Sequence, residues 1–266
     1  MNKNIGRGQT ALITGASGGL GKAFAEIFAE HGFDLVIVAR SKEKLENVAE
    51  ELSRKNGVKV TCIDEDISNL EGAKRVYERT KELGIRVDQL VNNAGAGKMN
   101  RVVDADIDTM VSLINLNCTA PTVLCRLFGA DMVERNSGRI LNVASLGAVM
   151  PDPYFNVYGP TKAYDYFLSA AMYGELLDSK VTVSTLLSGP IKTNWAKSAG
   201  KADSGMARDP RDIAMEGFEG MQKGRLIIVA TLLYKVGAVL TRILPIATVA
   251  KTIAGWQSGL IEKNGK

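Results

Sequence analysis

The chain carries one histidine, His31, and three cysteines, Cys62, Cys118 and Cys125, among 266 residues. An odd number of cysteines at no metal-ligand spacing excludes a disulfide framework and leaves too few donors for a zinc site, so no metal is expected. An excess of charge of one sign is missing too. The 33 lysines and arginines are offset by 29 acids, a formal +4 scattered along the chain, and no nucleic-acid surface is expected. The most apolar stretch near the C-terminus also falls short of a membrane span. The strongly apolar residues 226–240 are broken by Lys235 and Gly237 and followed by Arg242 and Pro245. Residues 1–8 are polar and hold no signal-peptide core. These absences predict a cytoplasmic protein without a membrane partner. The segment 231–256 is the one whose apolar bias would suit a membrane surface.

What is present is ample core material. Hydrophobic residues make up 45% and charged residues 23% of the chain, a composition that folds rather than stays disordered. Short apolar runs at 10–14, 34–39, 58–63, 89–92, 139–143, 181–187 and 226–230 alternate with helical patterns such as Phe24, Ile27 and Phe28. Seven strands alternating with helices predict an α/β fold: a single doubly wound Rossmann domain over 1–266, with a seven-stranded parallel sheet and a small C-terminal helical extension at 231–262. Ligands of such sheets sit beyond the carboxyl ends of the strands. His31-Gly32 reads as a helix end, which assigns the histidine a structural role. Residues 194–209 are rich in small residues and lysine, and Asp209-Pro210 then reads as a helix start. The region 194–224 is therefore expected to be a substrate lid followed by a helix.

The first strand runs into Thr14-Gly15-Ala16-Ser17-Gly18-Gly19-Leu20-Gly21, which opens a helix. Glycines there permit a tight turn and let backbone N–H groups reach a pyrophosphate at the positive helix end. The second strand ends in Arg40-Ser41 rather than in an acid. A guanidinium and a hydroxyl suit the 2′-phosphate of NADP, whereas a carboxylate would suit the free ribose of NAD, so NADP(H) is the expected cofactor.

Taken with Asn92-Asn93-Ala94-Gly95 and Tyr158-xxx-Lys162, this glycine pattern resembles the short-chain dehydrogenase/reductase family. Ser145 before Tyr158, Asn117 in Asn-Cys-Thr-Ala, and Gly189-Pro190-Ile191-Lys192-Thr193 after the sixth strand agree with it. The resemblance covers roughly residues 8–195. It implies that Asp66 and Ile67 flank the adenine, that Asn93, Ala94 and Gly95 line the cofactor, and that Ile191 and Thr193 hold the nicotinamide amide. Ser188 departs from the family, which usually has proline there, and a looser backbone at that point would follow.

The catalytic residues implied are Asn117, Ser145, Tyr158 and Lys162. A phenol near its ordinary pKa of ~10 exchanges protons poorly at neutral pH. A lysine one helical turn later can favour the phenolate and also reach the cofactor ribose. Ser145 would hold the substrate oxygen. By analogy, Asn117 would anchor a water linking Lys162 to solvent. A Tyr-xxx-Lys pair alone is common on helix surfaces, and its coincidence with the other motifs is what gives it meaning. Tyr154 is followed four residues later by Tyr158 rather than lysine, and is expected to face substrate or core.

Phe155, Met150, Trp195 and Met206 suit a bulky apolar substrate. The segment 132–142 resembles the hydroxysteroid and 3-oxoacyl reductase branches of the family. A hydroxysteroid is the first expectation, with a 3-oxoacyl, lipid-derived or small carbonyl compound as the alternative. A catalytically silent NADPH sensor is the reading of another class. The family habit implies a homodimer or homotetramer.

Overall fold

The structure is a computed structural model. It describes residues 4–200, 207–229 and 244–264, with side chains of the last helix through Ser258. Met206 and residues 231–243, Tyr234 among them, lie outside the described residues.

Seven parallel strands form one sheet: β1 (Thr10–Thr14), β2 (Asp34–Ala39), β3 (Val60–Asp64), β4 (Gln89–Asn92), β5 (Gly138–Ser145), β6 (Val181–Ser188) and β7 (Ile227–Val229). Their order across the sheet is β3-β2-β1-β4-β5-β6-β7. The chain builds outward from β1 to β3, then crosses to β4 on the other side of β1. That reversal leaves a crevice between β1 and β4 at their carboxyl ends, where no connection covers the sheet.

Among the described residues the α-helices are α1 (Gly19–Glu30), α2 (Lys42–Asn56), α3 (Leu70–Glu82), α4 (Ile107–Ile114), α5 (Ala120–Glu134), α6 (Tyr158–Glu175), α7 (Asn194–Ser198), α8 (Pro210–Gln222) and α9 (Ile246–Asn264). Strands β1 and β2 are buried along most of their length, which is why they read as continuous apolar runs rather than alternating ones. On one face Phe24, Phe28, Leu45, Leu52, Phe218 and Met221 join α1, α2 and α8 to the sheet. On the other, Val76, Leu124, Phe128 and Met132 join α3 and α5 to it, with Met172 of α6 against them.

Helices α4 and α5 are continuous through a π turn at Asn115–Thr119. By length and composition this 28-residue helix could cross a membrane. Its inner side, however, supplies core residues of the sheet packing. His31 Nδ1 donates to the Ile27 carbonyl (2.7 Å) and its ring lies 4.6 Å from that of Phe218, a structural placement. Gly32 follows with φ +82°, the left-handed cap expected.

Candidate active site

Four strand ends converge on the crevice. The glycine turn leaves β1, the 93–97 turn leaves β4, Ser145 is the last residue of β5, and the 189–193 turn leaves β6.

Close approach dictates the glycine turn. A Cβ on Gly21 would stand 2.2 Å from the Gly15 carbonyl oxygen, and Gly15 itself has φ +72°. Thr14 braces the neighbouring turn. Its Oγ1 accepts from the N–H of Asn93 and of Ala94, both at 3.0 Å, while Asn93 Nδ2 donates to the Thr14 carbonyl at 2.8 Å. Asn93 therefore fastens two loops together besides facing the crevice.

Helix α1 begins without a side-chain cap, and no acid sits in its first turn. Open space lies beside Gly18, and a Cβ on Gly19 would meet the Thr193 methyl at 3.3 Å. Uncapped N–H groups facing open space across a glycine turn fit a pyrophosphate. Ser17 and Leu20 flank that turn, Leu20 facing the core.

At the end of β2, Arg40 is exposed, and Ser41 stands at the N-cap of α2 without a side-chain capping bond. Nearby Asp66 accepts from Ser68 N at 2.9 Å. Burial pushes the Asp66 carboxyl up, but that bonding and the charge of Arg40 outweigh it and hold it below its ordinary value. Ile67 is buried beside it. These side chains fit the adenosine end of an NADP-type dinucleotide.

Ser145 accepts from Gly147 N at 3.2 Å, so its own O–H is left to donate. Tyr158 opens α6 after a strained loop in which Tyr154 and Asn156 both take left-handed backbone, φ +62° and +50°. Tyr154 is half-buried there, while Phe155 is in the core beside Tyr158. Burial pushes the Tyr158 phenol above its ordinary value; the Lys162 charge and the Ser145 hydroxyl pull it back.

Lys162 is 4% exposed, and Nζ donates to the Val143 carbonyl (2.8 Å) and to Asp165 Oδ2 (2.9 Å). Burial opposes its charge, yet Asp165 and Tyr158 overcome that and raise its pKa. Asn117 lies in the π turn, a local unwinding that turns it inward. It accepts from Ala96 N at 3.0 Å and donates to the Ala96 carbonyl at 2.8 Å and to Thr161 Oγ1 at 3.0 Å. Cys118 beside it has its thiol pushed up to about 11 by burial, which rules it out as a ready nucleophile.

The structure brings Asn117, Ser145, Tyr158 and Lys162 together at the crevice, with one correction to the sequence reading. Ser188 does not loosen the turn after β6: its hydroxyl donates to the Ala144 carbonyl at 3.1 Å, and its backbone pairs with Ser145. Asn117 is held in place by the Ala96 backbone and Thr161. Ile191 pairs with Arg208, and Thr193 caps α7. Sequence reasoning missed Asp165. An acid three residues beyond Lys162 on a sheet-facing helix stripe was the available signal. Among the described residues no cluster of three metal-ligating side chains occurs.

A doubly wound sheet with a glycine turn, an uncapped helix end and a Ser-Tyr-Lys group at the switch point defines a dinucleotide-dependent oxidoreductase of the α/β class. The sequence matches the short chain dehydrogenase family profile over residues 9–204, and the chain belongs to that family. It is 35% identical over 196 residues to a very-long-chain 3-oxoacyl-CoA reductase of Neurospora crassa, covering 72% of this chain and 58% of that protein. The protein of the same name from Homo sapiens is 32% identical over 198 residues, covering 72% of this chain and 62% of its own length. The alignment therefore spans about three fifths of these curated relatives. A short-chain dehydrogenase from Sphingobium yanoikuyae in complex with NADPH superposes with a TM-score of 0.80 at 29% identity, covering 96% of this chain and 95% of that one.

Proposed function

We propose that this chain is an NADP(H)-dependent reductase that interconverts a ketone and a secondary alcohol, acting on a 3-oxoacyl thioester with a long acyl chain. The observation that carries the reading is the meeting of Ser145, Tyr158 and Lys162 at the end of β5, beside the glycine turn. The relatives named for 3-oxoacyl-CoA reduction favour an acyl substrate over the hydroxysteroid expected from the sequence. Phe155, Met99 and Trp195 supply apolar surface around Tyr158.

A nicotinamide dinucleotide held at the glycine turn would supply or accept the hydride. Ser145 donates a hydrogen bond to the substrate carbonyl and orients it. The Tyr158 hydroxyl gives that oxygen its proton, and the Lys162 ammonium stabilises the phenolate left behind. Asn117 holds the 96 turn against α6. Arg40 and Ser41 receive the 2′-phosphate, Asp66 and Ile67 the adenine, and Ile191 and Thr193 the nicotinamide amide. All these residues belong to one sheet and its loops, which supports reading the chain as a single domain. Unpaired thiols at all three cysteines support a reducing, cytoplasmic compartment. Exposed Ile107, Val111 and Phe167 support assembly of copies through α4 and α6.

The test is oxidation of NADPH against NADH with long-chain 3-oxoacyl thioesters, keto-steroids and small carbonyls. NADPH-selective turnover of the thioesters is expected. Turnover of keto-steroids alone would replace the substrate class, and NADPH binding without any turnover would favour the sensor. Tyr158→Phe should lower turnover by roughly 10²–10⁴ while leaving NADPH affinity nearly unchanged.

A further inference from the structure

Helix α6 turns Tyr158, Lys162, Asp165 and Ser169 onto one buried face. Such a stripe is ordinarily apolar. Asp165 is 2% exposed, and its Oδ2 accepts from Lys162 Nζ at 2.9 Å while Nζ also donates to the Val143 carbonyl at 2.8 Å. An ammonium has three N–H donors, so one remains. It remains beside the crevice, where a Cβ on Gly95 would stand 3.4 Å from Nζ.

The other carboxylate oxygen, Asp165 Oδ1, is buried without a protein donor, and so is Asn92 Oδ1. Both residues line one cavity of about 10 Å³ together with Thr14 and Leu124. That is room for a single water, whose two hydrogens would satisfy both acceptors. The chain of bonds then closes through the sheet. Asn92 Nδ2 donates to Asn142 Oδ1 (2.8 Å), Asn142 Nδ2 to Ser169 Oγ (2.9 Å), and Ser169 Oγ to the Asp165 carbonyl (2.7 Å).

We propose that Asp165 is a positioning residue of this site, a buried counter-ion that clamps the Lys162 ammonium against the end of β5 and keeps its third N–H for the reaction side. The inference rests on the reductase reading above. A buried ammonium without a counter-charge sheds its proton; Asp165 lets it keep that proton and cancels part of its field at Tyr158. The groups facing this cluster are Lys162 and Tyr158 on α6, Cys118 from the π turn, Cys125 from α5, and Asp152 from the loop before α6. Burial holds the two thiols protonated, at about 11 and about 12. The carboxyl groups facing the pair are Asp165 and Asp152; burial pushes the Asp165 carboxyl up, and the Lys162 ammonium pulls it back. Removing the Asp165 charge lowers the pH at which the Tyr158–Lys162 pair loses its first proton, whichever group gives it up.

The experiment is the pH dependence of kcat/KM for ketone reduction in the wild type and in Asp165→Asn. Reduction needs the fully protonated pair, so the alkaline limb should move to lower pH by about one unit or more. An unmoved limb overturns the proposal. A second measurement is thermal unfolding of Asp165→Asn, Lys162→Met and the double variant. Asp165→Asn leaves Lys162 buried without its counter-charge, and the double variant removes that lysine, so the double should be the more stable of the two. A double variant no more stable than Asp165→Asn overturns the counter-ion role. Where Asp165→Asn fails to fold, folding of the double supports the proposal and its failure to fold overturns it. Failure of the reductase reading is seen separately, as full turnover by Tyr158→Phe, and does not alter the stability cycle.

Discussion

Trp195 Nε1 donates to the Gly95 carbonyl at 3.0 Å, tying α7 to the turn after β4 beside Tyr158. The indole lies 5.1 Å from the Tyr158 ring and 5.7 Å from that of Phe155, centroid to centroid. A substrate approaching the phenol therefore meets Trp195 as a wall. Trp195→Ala should raise the ratio of kcat/KM for branched, bulky ketones over small ones by roughly tenfold, the scale of pocket-size discrimination. An unchanged ratio would remove Trp195 from the substrate pocket.

Arg40 stands exposed at the end of β2, close enough to Asp66 to help lower its pKa. If Arg40 receives the 2′-phosphate as proposed, replacing it with an acid would remove a charge-assisted contact, worth about 1.5–3 kcal/mol, and add repulsion. Arg40→Asp should weaken NADPH by about tenfold or more relative to NADH. Paired titrations of the two cofactors, followed by fluorescence, check this.

Gly21 has no room for a side chain, because the Gly15 carbonyl would be 2.2 Å from a Cβ there. That atom is backbone and can yield only by distorting the phosphate turn. Gly21→Ala is expected to cost about 1–3 kcal/mol of stability and to weaken cofactor binding together with it. A variant with wild-type Tm and cofactor Kd would show that the turn tolerates the methyl.

Phe167 is 67% exposed on α6, while Ile107 and Val111 of α4 are 70% and 49% exposed. Apolar side chains this large usually have a partner when they cluster on one surface. Phe167→Glu should shift the protein toward a smaller species in sedimentation velocity, without loss of helix content. A wild-type protein that sediments as a monomer would refute assembly through this face.

Much of the fold was legible because fully buried parallel strands are short apolar runs bounded by turns. The runs at 10–14, 34–39 and 89–92 coincide with β1, β2 and β4. Where boundaries moved, partners moved them. Strand β5 extends to Gly138 and Ser145 because β6 offers Val181 and Ser188 to pair with those ends. Strand β3 starts later than the apolar pattern does: Lys59 N bonds the Asp34 side chain instead of a strand backbone. Ser188, read from its type alone, suggested a loose turn, whereas its hydroxyl found the Ala144 carbonyl.

The sequence by itself determined the alternation of strands and helices, the glycine turn at the first helix, and the one-turn spacing of Tyr158 and Lys162. Each of these depends on residues near one another in the chain, and local geometry converts such spacings directly into a shared face or a tight turn. Only the tertiary structure decided that β4 lies beside β1 and not β3, that Trp195 reaches Gly95, and that Asp165 closes on Lys162 above a cavity shared with Asn92. Those relations join distant segments through burial, and a buried charge or donor declares its partner only once the sheet has brought the two together.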